Sequence, residues 1–400
     1  FPTRRSSDLK NVQVAIGSTE RIVMIENFSS TTCGPCVVNN ANLKVICDNH
    51  PDRWTYSKFS TLGDPYSIQE CLDHMDYYGV IGVPATFLDG EYQGEDPVEE
   101  SAFVSHLDND AFMDIKASFA RDGNQIGVKI DMMPYISADG VVFVTVNEKA
   151  THGNVGNNGE TELYHVVMKM LPDQNGTPVS LVTGEVRHLE FEQDMSATNV
   201  EEMSDLEVAV WVQCDTKEVL NSRMAYEYTD IHPYPVENLI LNETGNVVQA
   251  TWNAPAQGSP LGYNVFVNRE LVLDNTTQLS CSFVADADEV YVVEVQAVYP
   301  NDMTSVKCAA SIMGYEVAGE TAASKTKLFP NPANTQLHIE SEGGIRSVRV
   351  YDLTGSLLQS IAVNGKTLSV SLSHLSNGVY LFNILGGDGT VSNQRVVVVR

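Results

Sequence analysis

The chain has 400 residues, more than one hydrophobic core usually serves, so several domains are expected. Acidic residues outnumber basic ones by 52 to 24, a formal charge of −28, which suits a phosphate backbone poorly and argues against a nucleic-acid partner. Hydrophobic residues make up 43%, enough for packed cores, yet no apolar run approaches the roughly eighteen residues that cross a bilayer, so no transmembrane segment is expected.

Phe1-Pro-Thr-Arg-Arg-Ser-Ser-Asp-Leu9 has no apolar periodicity and reads as the translation of a sequencing-adapter oligonucleotide fused to the reading frame. Residues 1–9 are therefore set aside as an artefact, and a natural N-terminus with a signal peptide is expected to be missing. Residues 10–110 mix strand-like runs (Arg21 to Phe28, Trp54 to Phe59, Ala85 to Leu88) with helices, one opening near Cys36 and one over Tyr66 to Tyr78. That is an α/β pattern. Residues 111–231 change to alternating strands, at Ile126 to Met132, Val141 to Val146, Leu163 to Met170 and Leu206 to Val212. Glycine- and asparagine-rich loops such as Gly153 to Gly159 separate them, which predicts an all-β sandwich.

His232-Pro-Tyr-Pro235 reads as a linker, since proline continues neither a strand nor a helix. Short strands return over 236–318, and after a second small linker, Thr321 to Thr326, a last β unit spans 327–400. The fold class expected is thus multidomain: one α/β domain followed by three all-β sandwich domains.

Chemistry concentrates at Cys33-Gly-Pro-Cys36, which follows an apolar strand and opens a helix. There the unpaired N–H groups and the helix dipole stabilise a thiolate on Cys33, lowering its pKa from about 8.5 towards roughly 7. Cys36, one turn later, is placed to attack a mixed disulfide. Pro35 fixes the turn and Gly34 leaves space for a substrate chain. Downstream, Gly82-Val-Pro84-Ala-Thr-Phe-Leu-Asp-Gly90 sets a proline at the mouth of an apolar strand.

The dithiol and this proline together resemble the thioredoxin superfamily. The resemblance implies a thioredoxin-like fold for 10–110, with Cys33 as nucleophile, Cys36 as resolving thiol and Pro84 as a cis-proline beside them. It makes Val83 the residue whose backbone contacts a bound peptide, and Thr32, Gly34 and Pro35 the rest of the active-site loop. Two positions depart from the family pattern. Thr32 stands where tryptophan is usual, and Asn27 where a buried carboxylate usually relays protons; Glu26 is adjacent but points to the other face of the strand by the period-two rule. A static disulfide in a scaffold reused for binding is the alternative reading.

Of the remaining cysteines, Cys47 lies eleven residues after Cys36, on the same helix face, and reads as a core thiol. Cys71 with His74 has metal-pair spacing but reads as an ordinary helix face. Whether Cys281 and Cys308 pair stays open. Asp286-Ala-Asp288 lacks the glycine and terminal glutamate of a calcium loop. No second CxxC or His-x-His stands at ligand spacing, so neither a metal nor a cofactor is expected.

Val248 to Pro255, Leu261 to Asn268 and Tyr291 to Tyr299 make 236–318 resemble a fibronectin type III domain, with Trp252 and Tyr263 as packing residues. Leu328-Phe-Pro-Asn-Pro332, Val348 to Gly355 and Leu375 to Leu381 make 327–400 resemble the type A sorting domain of type IX secretion. That resemblance implies passage across both membranes of a Gram-negative cell, then release or attachment at the surface, with the secretion machinery as partner. Residues 10–231 together, through Tyr164 to Met168 and Leu206 to Leu220, resemble the outer membrane proteins numbered twenty-eight. The function expected is an exported thiol–disulfide oxidoreductase acting on disulfide-containing exported proteins. The alternative is a non-catalytic surface binding or adhesion protein.

Overall fold

In a computed structural model, which describes residues 15–94, 97–228, 232–286, 289–313, 326–352, 357–387 and 391–400, the first apolar run forms β1 (Val23–Ser29). Every residue of β1 is buried because helices cover both of its faces. On one face lies α1 (Gly34–Asn49), whose buried residues Cys36, Asn39, Leu43, Ile46 and Cys47 recur at helical spacing. The chain returns through β2 (Trp54–Ser60), parallel to β1. On the other face lies α2 (Gln69–Tyr78), which ends at Gly79 in the left-handed region, φ 68°. The helix expected from Tyr66 starts three residues later. The Asp64 carboxylate accepts the N–H groups of Tyr66 and Thr31 and holds a turn there. β3 (Ala85–Leu88) runs antiparallel to β1 and pairs with the short β4 (Glu91–Tyr92). α3 (Glu100–Leu107) is additional to the expected elements; its single buried apolar side chain, Phe103, leaves almost no periodic stripe to read.

The next segment supplies β5 (Met113–Asp122), β6 (Gln125–Pro134), β7 (Ala138–Thr151), β8 (Leu163–Leu171), β9 (Thr177–Leu181), β10 (Arg187–Asp194), β11 (Leu206–Cys214), β12 (Val219–Met224) and β13 (Tyr226–Glu227). One sheet orders its strands β10-β6-β5-β13. The other does not close on itself. It runs β12-β11-β7-β8-β2-β1-β3-β4, with β9 on β7, and so carries the α/β strands as its continuation. The segments before and after residue 110 thus both contribute strands to one nine-stranded sheet.

The seam, β2 beside β8, is parallel and pairs Lys58 with Val166. Side chains reinforce it. Phe28 and Phe59 on one side, and Phe143 and Trp211 on the other, belong to one buried cluster with Cys71 of α2. His74 of α2 contacts the rings of both Phe59 (4.6 Å) and Phe143 (5.2 Å). At the far edge, Gly90 (φ 84°) approaches so closely that a Cβ would stand 1.8 Å from the Lys217 carbonyl oxygen. The Arg21 guanidinium, 3.4 Å from Asp89, also donates to the Val219 carbonyl.

After the linker, His232 to Pro235, come β14 (Glu237–Thr244), β15 (Val247–Asn253), β16 (Gly262–Val267), β17 (Glu270–Thr276), β18 (Ser280–Val284), β19 (Val290–Val298) and β20 (Cys308–Met313). They form sheets of three (β14-β15-β18) and four strands (β17-β16-β19-β20). Trp252 and Tyr263 are both buried, edge-to-face at 5.8 Å. Cys281 and Cys308 lie in different sheets as free thiols. The Tyr135 hydroxyl donates to Glu294, tying this sandwich to the preceding segment.

The described residues fall into two units divided at 315/316. The second holds β21 (Thr326–Phe329), β22 (Gln336–Tyr351), β23 (Leu357–Ser371), β24 (Gly378–Gly386) and β25 (Val391–Val398) around a core that includes Leu337, Val348, Tyr380 and Phe382. The adapter-like residues 1–9, most of the second linker, Ala287-Asp288 and the end of the 348–355 motif lie outside the described residues. Multiple domains, mostly β-sandwich, make up the fold.

If the seam is held by shared side-chain packing, Phe143→Ala should cost about 3–5 kcal/mol. Urea unfolding should then show one transition at a lower midpoint for residues on both sides of it. Separate transitions, with only the β segment weakened, would contradict a shared core.

Candidate functional site

Cys33 caps the N-terminus of α1, and Pro35 sits in the helix's first turn, where its missing N–H costs nothing. Cys33 and Cys36 are joined as a disulfide. The Cys36 N–H donates to Cys33 Sγ at 3.2 Å, and no acidic side chain stands in the first turn of the helix. The two sulfurs differ in access: Cys36 is fully buried, whereas Cys33 is half-buried. Space is open beside Gly34, where a Cβ would meet nothing within 4 Å. Thr32 is exposed, its hydroxyl 2.9 Å from that of Ser30.

The loop before β3 brings the second motif to the same place. The Val83–Pro84 peptide bond is cis, and the Val83 carbonyl oxygen is 3.5 Å from Cys33 Sγ. Pro84 is buried and Val83 half-buried. Beside them runs an apolar groove of about 710 Å³, lined by Pro35, Tyr78, Ile81, Val83 and Tyr92, with the Ile81 side chain fully exposed on its rim.

Asn27 and Glu26 diverge across β1. Asn27 faces α1, bonded to Asn40 (2.9 Å) and Tyr56 (2.8 Å) and approached by Asn39. Thr86 joins these contacts, so the groups bonded to Asn27 itself are amides and hydroxyls, and Asn40 carries the network on to the Glu160 carboxylate (2.8 Å). Burial pushes the Tyr56 hydroxyl far above its ordinary pKa, so it stays protonated. Glu26 faces α2 and bonds to His74 (2.7 Å) and Tyr78 (2.6 Å); Glu26 and His74 are fully buried and Tyr78 is half-buried. His74 is thus committed to Glu26, with Cys71 buried nearby. Burial also pushes the Cys47 thiol up to about 12 and lowers the Lys58 ammonium to about 8.

A third contributor was invisible in the sequence. The glycine-rich loop between β7 and β8 folds over the dithiol loop. The Asn158 side chain donates to the carbonyls of Ser30 (3.4 Å) and Cys33 (3.3 Å), and its backbone N–H to that of Thr31. Glu160 accepts from Asn158 and from Asn40 of α1, so one carboxylate ties the loop to the helix. Gly156 is packed so tightly that a Cβ would stand 2.2 Å from the Thr31 carbonyl oxygen. The only local signal is the density of glycine and asparagine, which any turn would show.

Gly156→Ala should cost about 1–3 kcal/mol through this overlap. It should also change the alkylation rate of Cys33 in the reduced protein. Gly127→Ala, on β6 with open space around it, should leave both thermal midpoint and labelling rate unchanged. Equal behaviour of the two variants would show that the loop does not brace the site.

Comparison with known proteins adds the following. Residues 327–399 match the family model of the secretion system C-terminal sorting domain, Por_Secre_tail. This places the chain on the type IX route, at the cell surface or secreted. Among the described residues no helix is long and apolar enough to cross a membrane. No curated protein matches the chain. Among solved structures, HBP35 of Porphyromonas gingivalis is 14% identical, over 75% of this chain and 100% of that one, with a TM-score of 0.45. The central fibronectin-III array of RIM-binding protein is 14% identical over 42% of this chain and 70% of that one, TM-score 0.19. The fibronectin(III)-like modules of Clostridium thermocellum CbhA are 15% identical over 42% and 92%, TM-score 0.16.

Proposed function

We propose that this exported protein is a thiol–disulfide oxidoreductase whose thioredoxin-like N-terminal segment acts on disulfides of other exported proteins. The observation that carries the reading is the asymmetry of the dithiol: Cys33 open beside an apolar groove, Cys36 sealed behind it.

In the reducing direction the Cys33 thiolate attacks a substrate disulfide, forms a mixed disulfide and expels one substrate thiolate. Cys36 then attacks Cys33 Sγ, expels the second substrate thiolate and leaves the Cys33–Cys36 disulfide. Two electrons pass from the dithiol to the substrate. In the oxidising direction an incoming thiolate reaches only Cys33, so Cys36 is the leaving group. The Cys36 N–H and the first turn of α1, clear of acids, favour negative charge on Cys33. Val83 and Pro84 lie where a peptide backbone would pass, and the groove would take apolar side chains flanking the target cysteine. With an amide at Asn27, and the Glu160 carboxylate reached only through Asn40, proton exchange at Cys36 would rely on water, so turnover should be slow.

The test uses the full chain, because the nine-stranded sheet continues past residue 110. The wild type should catalyse reduction of insulin disulfides by dithiothreitol. Cys33→Ser should abolish turnover, and Cys36→Ser should accumulate a covalent mixed disulfide with the substrate. Turnover that survives Cys33→Ser would remove the assigned nucleophile. No turnover by the wild type would leave the bridge static within a binding scaffold. As a separate check, iodoacetamide at neutral pH should label Cys33 of the reduced protein far faster than Cys47, whose thiol sits near 12. Equal rates would contradict an activated, reachable Cys33.

A further inference from the structure

Outside the dithiol, one cluster of side chains has the composition and support of a metal centre. Asp131 on β6 and His188 on β10 are direct cross-strand partners. Alternation along β6 sends Ile130 and Met132 into the sandwich core, and Asp131 to the opposite face of the sheet. The first residue of the linker, His232, reaches the same carboxylate. His188 Nδ1 is 2.6 Å from Asp131 Oδ1, and His232 Nε2 is 2.7 Å from Asp131 Oδ2. One donor atom from each residue lies within 4.8 Å of the other two. Asp131 and His232 are buried, while His188 is half-exposed.

We propose that Asp131, His188 and His232 bind a divalent transition-metal ion, zinc the best match, where the second β segment meets the 232–235 linker. Two imidazoles and a carboxylate form a donor set suited to zinc and too nitrogen-rich for calcium or magnesium. Tetrahedral zinc holds donors at about 2.0–2.2 Å, roughly 3.4 Å apart; the three donors already lie within 4.8 Å of one another, and the two imidazoles, now on different Asp131 oxygens, would turn from the carboxylate to the ion.

The outer contacts carry the argument further. In metal centres the second nitrogen of each ligating histidine is held by an oxygen partner. Here His188 Nε2 is 3.0 Å from Glu190, and His232 Nδ1 is 2.6 Å from Ser118 Oγ. Both rings therefore aim one nitrogen at the proposed ion while the other is anchored. Lys129, the nearby cation, lies 3.7 Å from Glu190 and donates to the Tyr234 hydroxyl. A cavity of about 610 Å³ borders Asp131 and His188 and would admit water as a fourth ligand. On binding, the ion takes the place of the protons between the imidazoles and Asp131: an imidazolium releases that proton to solvent, and a neutral ring carries it on its other nitrogen, toward Glu190 or Ser118. The consequence is a clasp joining the linker to β6 and β10.

The experiment uses the untagged full chain, stripped with chelator and kept oxidised so that Cys33 and Cys36 cannot ligate. Zinc titration by calorimetry should show one tight ion per chain and a rise in thermal midpoint. Cobalt(II) should give the visible absorption of a tetrahedral site. His188→Ala, at a half-exposed position, should fold when metal-free yet lose about 100-fold or more in affinity, as should Asp131→Asn. Glu190→Gln, at a residue that meets His188 through its outer nitrogen, should lose about 10- to 100-fold. Absence of stoichiometric uptake by the wild type, or affinity unchanged in folded His188→Ala, would overturn the proposal.

Discussion

α2 lies across the seam of the nine-stranded sheet, and the rest of the N-terminal architecture depends on it. β2 and β8 meet at one registered backbone pair, so hydrogen bonding alone is a weak join. The helix covers that join with Cys71 and His74, both fully buried. A polar ring in such a place needs a partner, and Glu26 of β1 supplies it, with Tyr78 bonded to the second carboxylate oxygen. Phe28 and Phe59 pack from the α/β side, Phe143 and Trp211 from the sandwich side. Aromatic area and one buried hydrogen bond between Glu26 and His74 thus do what a single strand pair does not.

This fusion changes what the dithiol site is made of. In a free-standing α/β domain, the carbonyls of Ser30, Thr31 and Cys33 that Asn158 meets here would be left to solvent. Here Asn158, Gly156 and Glu160, contributed by the sandwich, hold its carbonyls and the flank of the helix. Bracing of this kind limits how far Cys33 and Cys36 move relative to Val83, and leaves the apolar groove as the open approach. The sandwich is therefore part of the site rather than a passenger.

Export and cysteine usage are mutually consistent. A chain on the type IX route works where thiols are readily oxidised. Apart from the bridged pair, all five cysteines have thiol pKa values raised by burial, so their reactive thiolate form is scarce. Among the described residues the one disulfide is the pair at the helix head. The large acidic excess gives the exported chain a strongly charged, solvated surface.

From the sequence alone came the features carried by neighbouring residues. The strand–CGPC–helix order needs only a few adjacent positions, and Cys47 joins Cys36 on one helix face by periodicity. The opposite directions of Glu26 and Asn27 follow from strand alternation, and the sorting domain is a linear signal. α3 was illegible because one buried phenylalanine makes no stripe. Tertiary structure alone decided the continuous sheet, the Asn158 brace and the Asp131–His188–His232 cluster. In each, the partners stand from 44 to more than 100 residues apart and meet through strand pairing or loop packing. No local pattern encodes such a meeting, because it depends on which edges and faces find each other once every apolar surface has been buried.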